Sequence, residues 1–160
     1  MSFNHFDSAG QAIMVDVSHK APTMRTATAS AAVHLKAETV RDIIDGRTTK
    51  GDVLSVARIA GIAAAKKTPD LIPLSHPLAI HHVAIEFTVD ADGGTITAEA
   101  TVRAFERTGV EMEAMTSAAV AALTIYDMCK GVDKGITIGE IKLLFKEGGK
   151  SGTYRREDLK

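Results

Sequence analysis

Two short stretches of the sequence combine residue types that can move protons. The first is Leu71-Ile-Pro-Leu-Ser-His-Pro-Leu78, in which Pro73 and Pro77 bracket His76. Proline fixes its own φ at about −65° and drives the preceding residue into extended geometry, so this loop holds its histidine rigidly. The second is Tyr126-Asp-Met-Cys-Lys130, which sets a carboxylate three residues before an amine. A held imidazole and an adjacent acid and base together indicate a reaction site.

The position of Asp127 makes the second stretch unusual. This residue falls in the last turn of a helix predicted over residues 110–128, where the partial negative charge of the helix end disfavours a carboxylate. Lys130 lies at the i+3 position and can compensate. An ordinary surface ion pair and an acid–base couple whose members set each other's pKa both explain the pattern.

The length of that helix limits which residues can share a ligand. Glu113 lies in its first turn, and at 1.5 Å per residue it is separated from Asp127 by roughly 21 Å of rise. One small ligand cannot contact both ends of the same helix. If Glu113 and Asp127 serve one site, we expect a neighbouring subunit to supply one of them.

The elements that position these residues follow the order β-α-α-β-β-α-β. Asp92-Gly93-Gly94 predicts a hairpin turn, and the alternation after it places Ile96, Ala98, Ala100, Val102 and Ala104 on the buried face. Gly46 is predicted to end the first helix, and Thr108 or Gly109 to cap the last one. The predicted ranges are strand 25–35, helices 36–45 and 51–67, strands 82–90 and 95–105, helix 110–128 and strand 135–146. This order predicts an α+β fold of the ferredoxin-like split βαβ type, an antiparallel sheet with helices packed on one face, plus an extra helix.

Composition narrows the class of protein. We expect residues 1–160 to form a single domain, with segments 1–20 and 147–160 mobile or ordered by ligand. Only five Phe, two Tyr and no Trp are present, so the core must be built from small aliphatic side chains, which favours completion by oligomerisation. A net charge of −1 argues against nucleic acid as a partner. Because Cys129 is the single cysteine, no disulfide can form within the chain, and a cytoplasmic location is expected. No apolar run reaches about 18 residues, so we expect no membrane span.

Basic residues near element boundaries indicate an anionic ligand. Singly each is typical of a solvated surface charge, but side chains at element ends converge on ligands, and together they suggest a polyphosphate. Gly148-Gly-Lys-Ser-Gly152 lacks the first glycine and the following helix of a phosphate-binding loop, although Lys150 can still reach an anion. The spacing of His76, His81 and His82 does not match a zinc site, so no metal is expected. The basic residues in question are Lys20, Arg25, Lys50, Lys130, Lys134, Lys146 and Lys150.

Over nearly its whole length the chain resembles the molybdenum cofactor biosynthesis protein C family, the cyclic pyranopterin monophosphate synthases. The similarity lies in a series of ordered motifs: Met14-Val-Asp-Val-Ser18, Lys50-Gly-Asp52, Ala57-Arg-Ile-Ala-Gly61, Leu71-Ile-Pro-Leu-Ser-His-Pro-Leu78, Thr108-Gly-Val-Glu-Met-Glu-Ala114, Tyr126-Asp-Met-Cys-Lys130 and Gly148-Gly-Lys-Ser-Gly152.

The resemblance implies a lyase of molybdopterin biosynthesis. Its substrate would be 3′,8-cyclo-7,8-dihydroguanosine 5′-triphosphate, which is rearranged to cyclic pyranopterin monophosphate with release of diphosphate. The resemblance implies no redox cofactor, and it implies a hexamer, a trimer of dimers, with sites at subunit interfaces.

The same resemblance assigns roles to residues by position. Asp127 and Lys130 match the catalytic acid–base couple, and Lys50 matches a further active-site lysine. His76 matches a substrate-binding position and is also expected to act in catalysis, in orientation and proton transfer. The positions that match substrate-binding residues are Leu74, Ser75, His76, Met112, Glu113, Arg25, Lys20 and Lys146. Ser75 departs from the cysteine common at its position, which excludes a thiolate nucleophile there.

Two other functions are compatible with this type of fold. A non-catalytic module that senses nucleoside triphosphates would bind the ligand without releasing diphosphate, and it leaves the rigid loop around His76 unexplained. An RNA-binding split βαβ domain needs aromatic residues on its central strands, whereas the outward positions here are Thr97, Glu99, Thr101 and Arg103.

Overall fold

The computed structural model describes residues 5–157, which form one five-stranded antiparallel sheet with helices packed against it. The strand order across the sheet is β2-β3-β1-β4-β5. The predicted α+β fold of ferredoxin-like type is confirmed, and two short elements, α3 and β5, add to the predicted order. The elements are β1 (Thr23–His34), α1 (Ala37–Ile44), α2 (Val53–Ala65), α3 (Thr68–Leu71), β2 (Ile80–Asp90), β3 (Thr95–Glu106), α4 (Glu111–Cys129), β4 (Thr137–Glu147) and β5 (Tyr154–Arg155).

The β2–β3 hairpin forms as predicted. Asp90 pairs with Thr95, the Asp90 carboxylate accepts a hydrogen bond from the Gly93 N–H at 2.9 Å, and Gly94 takes the positive φ that the turn requires. The five residues predicted to face inward on β3 are all fully buried. Strict alternation therefore identified both the strand and its core face.

Helices α2 and α4 pack closely on each other as well as on the sheet. A Cβ at Gly61 would lie 2.8 Å from the Ser117 carbonyl oxygen and 2.3 Å from the Ile85 side chain, so only glycine fits at this crossing. The Ser117 hydroxyl donates a hydrogen bond to the Gly61 carbonyl at 2.9 Å. Ala118, Ala121 and Ala122 are fully buried on α4. Small side chains thus fix the position of α4, the helix that carries most of the chemically interesting residues.

The helix ends agree with prediction in one case and differ in another. Gly46 has a positive φ, and the Arg47 N–H bonds the Asp42 carbonyl, which is the Schellman ending expected for α1. The predicted cap of α4 at Thr108 or Gly109 is wrong. The N-cap is Val110, which makes no side-chain cap bond and is fully buried in the core. Burial of this valine therefore sets the start of α4 in place of a capping hydroxyl.

The chain after β4 returns to the sheet, a feature that the sequence analysis did not predict. Tyr154 and Arg155 pair with Lys146 and Phe145 of β4, and the Arg155 guanidinium lies 4.9 Å from the centre of the Phe145 ring. Residues 1–4 and 158–160, which belong to the predicted mobile segments, lie outside the described residues. No helix within residues 5–157 has the length and hydropathy needed to cross a bilayer.

Candidate active site

Three charged residues meet at the C-terminal end of α4, and we call them the helix-end cluster: Lys50, Asp127 and Lys130. The Lys130 Nζ donates to Asp127 Oδ1 at 2.6 Å, and the Lys50 Nζ donates to the Asp127 main-chain carbonyl at 2.9 Å. The second bond satisfies one of the carbonyls left unpaired at a helix end. The predicted Asp127–Lys130 pair is therefore present, and a second lysine joins it from the α1–α2 connection.

The lysines set the protonation states of this cluster. The hydrogen bond and charge of Lys130, followed by the charge of Lys50, lower the pKa of the Asp127 carboxyl. In return, Asp127 raises the pKa of Lys130. Near neutral pH the carboxylate is therefore the available base and the ammonium the available acid. Both side chains are more than half exposed, so a ligand can reach them from the solvent.

A cavity of about 710 Å³ opens at the other end of α4, and most of the residues that line it have polar or charged side chains. We call it the basic cavity. Its walls come from the start of β1, the β3–α4 connection and the end of β4, which the antiparallel pairing brings together at one end of the sheet. Its cationic side chains can neutralise several phosphate charges. They are Lys20, Arg25, Arg107, Lys146 and Lys150.

Arg25 is held in the wall of this cavity by the backbone. Only 8% of its surface is exposed, and its guanidinium donates to the Glu106 carbonyl at 3.1 Å and to the Arg107 carbonyl at 3.2 Å. Gly149 lies directly against it, since a Cβ there would come within 1.8 Å of Arg25 Nη1. The glycines after β4 thus let the loop approach the guanidinium.

Lys146 is held by two partners inside the same cavity. Its Nζ donates to Glu111 Oε1 at 2.9 Å and to Ser151 Oγ at 3.0 Å. Both members of the Lys146–Glu111 pair are about one quarter exposed. A carboxylate therefore already occupies part of the coordination that a phosphate would seek.

A second cavity, of about 360 Å³, adjoins the basic cavity. The two share Lys20, Thr108, Gly109 and Glu111 in their walls, so they form one continuous cleft. We call the second one the loop cavity, because the proline-bracketed loop supplies much of its wall. Its lining includes the predicted residues Leu74, Ser75, His76, Met112 and Glu113.

Two side chains of the loop cavity have unusual surroundings. The Ser75 Oγ is buried and has no hydrogen-bond partner among the described residues. Glu113 is 3% exposed, and burial raises the pKa of its carboxyl to about 7. A polar atom without a partner at the edge of a cavity and a carboxyl ready to exchange a proton near neutral pH are both suited to bind a polar ligand. The His76 Nε2 is already engaged, since it donates to the Val15 carbonyl at 2.7 Å.

The structure sorts the predicted site residues into two groups. Eight of them line the continuous cleft: Leu74, Ser75, His76, Met112, Glu113, Arg25, Lys20 and Lys146. The remaining three, Lys50, Asp127 and Lys130, form the helix-end cluster and line neither cavity. Within the chain, α4 separates the two groups by its own length.

Two residues that line the cleft, Arg107 and Glu111, were not predicted from the sequence. Arg107 follows the last residue of β3 and lines the basic cavity, and its position directly after a clear strand is the signal that could have identified it. Glu111 fits the general preference for acids in a first helical turn, which hid its contact with Lys146.

Comparison with known proteins identifies the family. The model of the MoaC family matches residues 14–149. A cyclic pyranopterin monophosphate synthase of Geobacter metallireducens is 77% identical over 158 residues, with 99% of each chain covered. The protein of the same name from Geotalea uraniireducens is 75% identical, with 99% of each chain covered. The one from Rhodospirillum rubrum is 57% identical, and the match covers 94% of this chain and 90% of the relative. The chain therefore belongs to the MoaC family.

Proposed function

We propose that this chain acts as a cyclic pyranopterin monophosphate synthase, a lyase of molybdenum cofactor biosynthesis. The observation that carries the proposal is the continuous cleft. Its basic cavity suits a triphosphate, and its loop cavity offers the hydrogen-bonding groups that a guanine-derived heterocycle needs. The substrate proposed is 3′,8-cyclo-7,8-dihydroguanosine 5′-triphosphate, and the products are cyclic pyranopterin monophosphate and diphosphate. The lone cysteine suits a reducing compartment, and we place the reaction in the cytoplasm.

We infer that the complete site contains residues of two subunits within a hexamer, a trimer of dimers. The helix-end cluster supplies the acid and base but lies at the opposite end of α4 from the cleft. It is exposed, so a neighbouring subunit can present its own cluster to this cleft. Apolar side chains without cover support such an assembly: Val132, two residues after Lys130, is 75% exposed, and Ile59 on α2 is 69% exposed.

The proposed roles follow from charge and position. Opening a guanine-derived ring and closing the new one moves protons on nitrogen and carbon, which suits the Asp127 base, the Lys130 acid and the imidazole of His76. Lys50 orients the couple through the Asp127 carbonyl. Arg25, Lys20 and Lys146 bind the triphosphate and stabilise the negative charge that develops as diphosphate leaves and the cyclic phosphate closes. Leu74, Ser75, Met112 and Glu113 hold the heterocycle.

The decisive experiment supplies the cyclic triphosphate to the purified protein and follows pterin product and diphosphate together. We expect equimolar formation of both, and loss of turnover in Asp127→Ala. Near-normal turnover of Asp127→Ala would contradict the central assignment. Binding of the triphosphate without diphosphate release would instead favour a nucleotide-sensing module.

A further inference from the structure

Residues 13–20 contain no helix or strand and lie along the loop cavity. Val15 and Val17 are half-buried and line this cavity, whereas Asp16 and Ser18 are exposed. Alternation with a period of two is the pattern of an extended segment lying on a surface. This segment, which we call the N-terminal strap, therefore forms one wall of the loop cavity.

Two side chains of the cleft hold the strap by its main chain. The His76 Nε2 bonds the Val15 carbonyl at 2.7 Å, and the Arg107 guanidinium donates to the Ser18 carbonyl. These anchors come from the proline-bracketed loop and from the end of β3. The strap is thus attached to the same residues that surround the proposed ligand.

The strap then turns and delivers a lysine to the cleft. The Lys20 N–H bonds the Val17 carbonyl at 3.0 Å, and the Asp16 carboxylate accepts from the Ser18 N–H at 2.8 Å. These local bonds close the turn that follows Val17. Lys20 consequently lies where the basic cavity and the loop cavity meet.

The contact between Val15 and His76 decides which ring nitrogen carries a proton. A carbonyl oxygen only accepts hydrogen bonds, so the Nε2 atom must be the donor. In the neutral ring the other nitrogen, Nδ1, is then unprotonated and is the basic atom. The bond from Arg107 to the Ser18 carbonyl and the turn that follows Val17 keep that carbonyl in place.

We propose that the N-terminal strap is a positioning element of the active site: the Val15 carbonyl holds His76 in the Nε2–H tautomer, so that Nδ1 exchanges protons with the substrate. Uptake of a substrate proton at Nδ1 gives the imidazolium, which keeps its Nε2–H bond to Val15. That bond becomes charge-assisted and therefore stronger in the charged ring. Return of the proton from Nδ1 restores the starting tautomer. The inference rests on the proposed function only for the participation of His76 in the reaction.

Nitrogen NMR of the full chain, labelled with ¹⁵N-histidine and recorded without substrate, tests the tautomer directly. The sequence contains six histidines, and the variant His76→Gln identifies the relevant signals by their absence. In the neutral ring we expect one tautomer of His76, with Nδ1 giving the unprotonated signal. A protonated Nδ1, or a mixture of tautomers in the wild-type protein, would overturn the proposal.

A pair of glycine substitutions tests whether the strap is responsible. Val15→Gly combined with Val17→Gly removes the apolar contacts of the strap and adds backbone freedom. We expect a mixture of His76 tautomers and a kcat lowered about fivefold, the effect of losing one ordinary hydrogen bond. The matched control, Ala9→Gly with Gln11→Gly, changes exposed residues that precede the strap and line neither cavity, and it should keep both properties.

The two measurements separate this inference from the proposed function. A fivefold loss of kcat with an unchanged tautomer, or an unchanged kcat with a mixed tautomer, would refute the role of the strap. A wild-type protein that shows the Nε2–H tautomer but releases no diphosphate would refute the proposed function and support the anchoring of the ring.

Discussion

Mixing two inactive variants tests whether the site is shared between subunits. Asp127→Ala removes the base of the helix-end cluster, and His76→Ala removes the imidazole of the cleft. The 21 Å of rise along α4 (about 1.5 Å for each residue between Glu113 and Asp127) prevents one chain from presenting both to one small substrate. A site formed by two chains can combine the intact cleft of one variant with the intact cluster of the other.

The expected recovery follows from counting. In a random one-to-one assembly, half of the clefts and half of the clusters are intact, so about one quarter of the sites should contain both intact parts. A site contained within one chain would recover nothing. The two variants, carrying different affinity tags, should be co-expressed and purified through both tags in turn, and diphosphate release should be measured per site.

The reverse mixture provides the matched control. Wild-type chains assembled one to one with the double variant Asp127→Ala/His76→Ala should retain about one quarter of full activity if sites are shared, and about one half if each chain works alone. No recovery in the first mixture together with half activity in the second would refute the shared site.

Three further predictions concern single residues of the cleft. Because burial raises the pKa of the Glu113 carboxyl to about 7, the folded protein binds this proton more tightly than the unfolded chain, and the wild type should lose about 3 kcal/mol of stability as pH rises from about 4.5 to 7. Glu113→Gln should abolish that loss, which denaturant unfolding at several pH values would measure. A parallel pH dependence of the two proteins would contradict the prediction. Ser75→Ala removes a buried hydroxyl that has no partner among the described residues, so the free energy of unfolding should stay the same or rise by about 1 kcal/mol. The KM for the cyclic triphosphate should increase several-fold, and an unchanged KM would show that the substrate does not use this hydroxyl. Glu111→Gln releases Lys146 from its carboxylate partner, so the Kd for inorganic triphosphate, measured by calorimetry, should fall about threefold. A higher Kd in the variant would contradict this prediction.

Much of the fold could be read from the sequence because it depends on local patterns. Alternation identified β3 and its core face, and a glycine with positive φ marked the end of α1. The start of α4 was predicted wrongly because burial of Val110 in the core outweighs the capping preference of Thr108. The two-residue strand β5 has no periodicity to detect, and its pairing with β4 depends on contacts made after the sheet is formed.

The candidate site was less accessible to local reasoning. Motifs identified most of its residues, but no local pattern shows that the start of β1 and the end of β3 meet. They do meet, since Arg25 donates a hydrogen bond to the Glu106 carbonyl, 81 residues away in the sequence. The contact between Lys146 and Glu111 depends in the same way on the antiparallel pairing of the sheet and the packing of α4 upon it. Distant convergence of this kind is a property of topology, and the sequence displays it only after the strand order is known.

The two ends of α4 explain why the helix-end cluster needs two lysines. The N-terminal end of a helix is electropositive, and α4 directs it toward the cleft, where an anion is expected. The opposite end is electronegative and by itself would favour protonation of Asp127. Lys50 neutralises the helix end by bonding the Asp127 carbonyl, and Lys130 bonds the carboxylate, so the pKa of Asp127 falls although the helix opposes it. Asp127 is therefore ionised near neutral pH while Lys130 is protonated, so within this pair only Asp127 can accept a proton and only Lys130 can donate one.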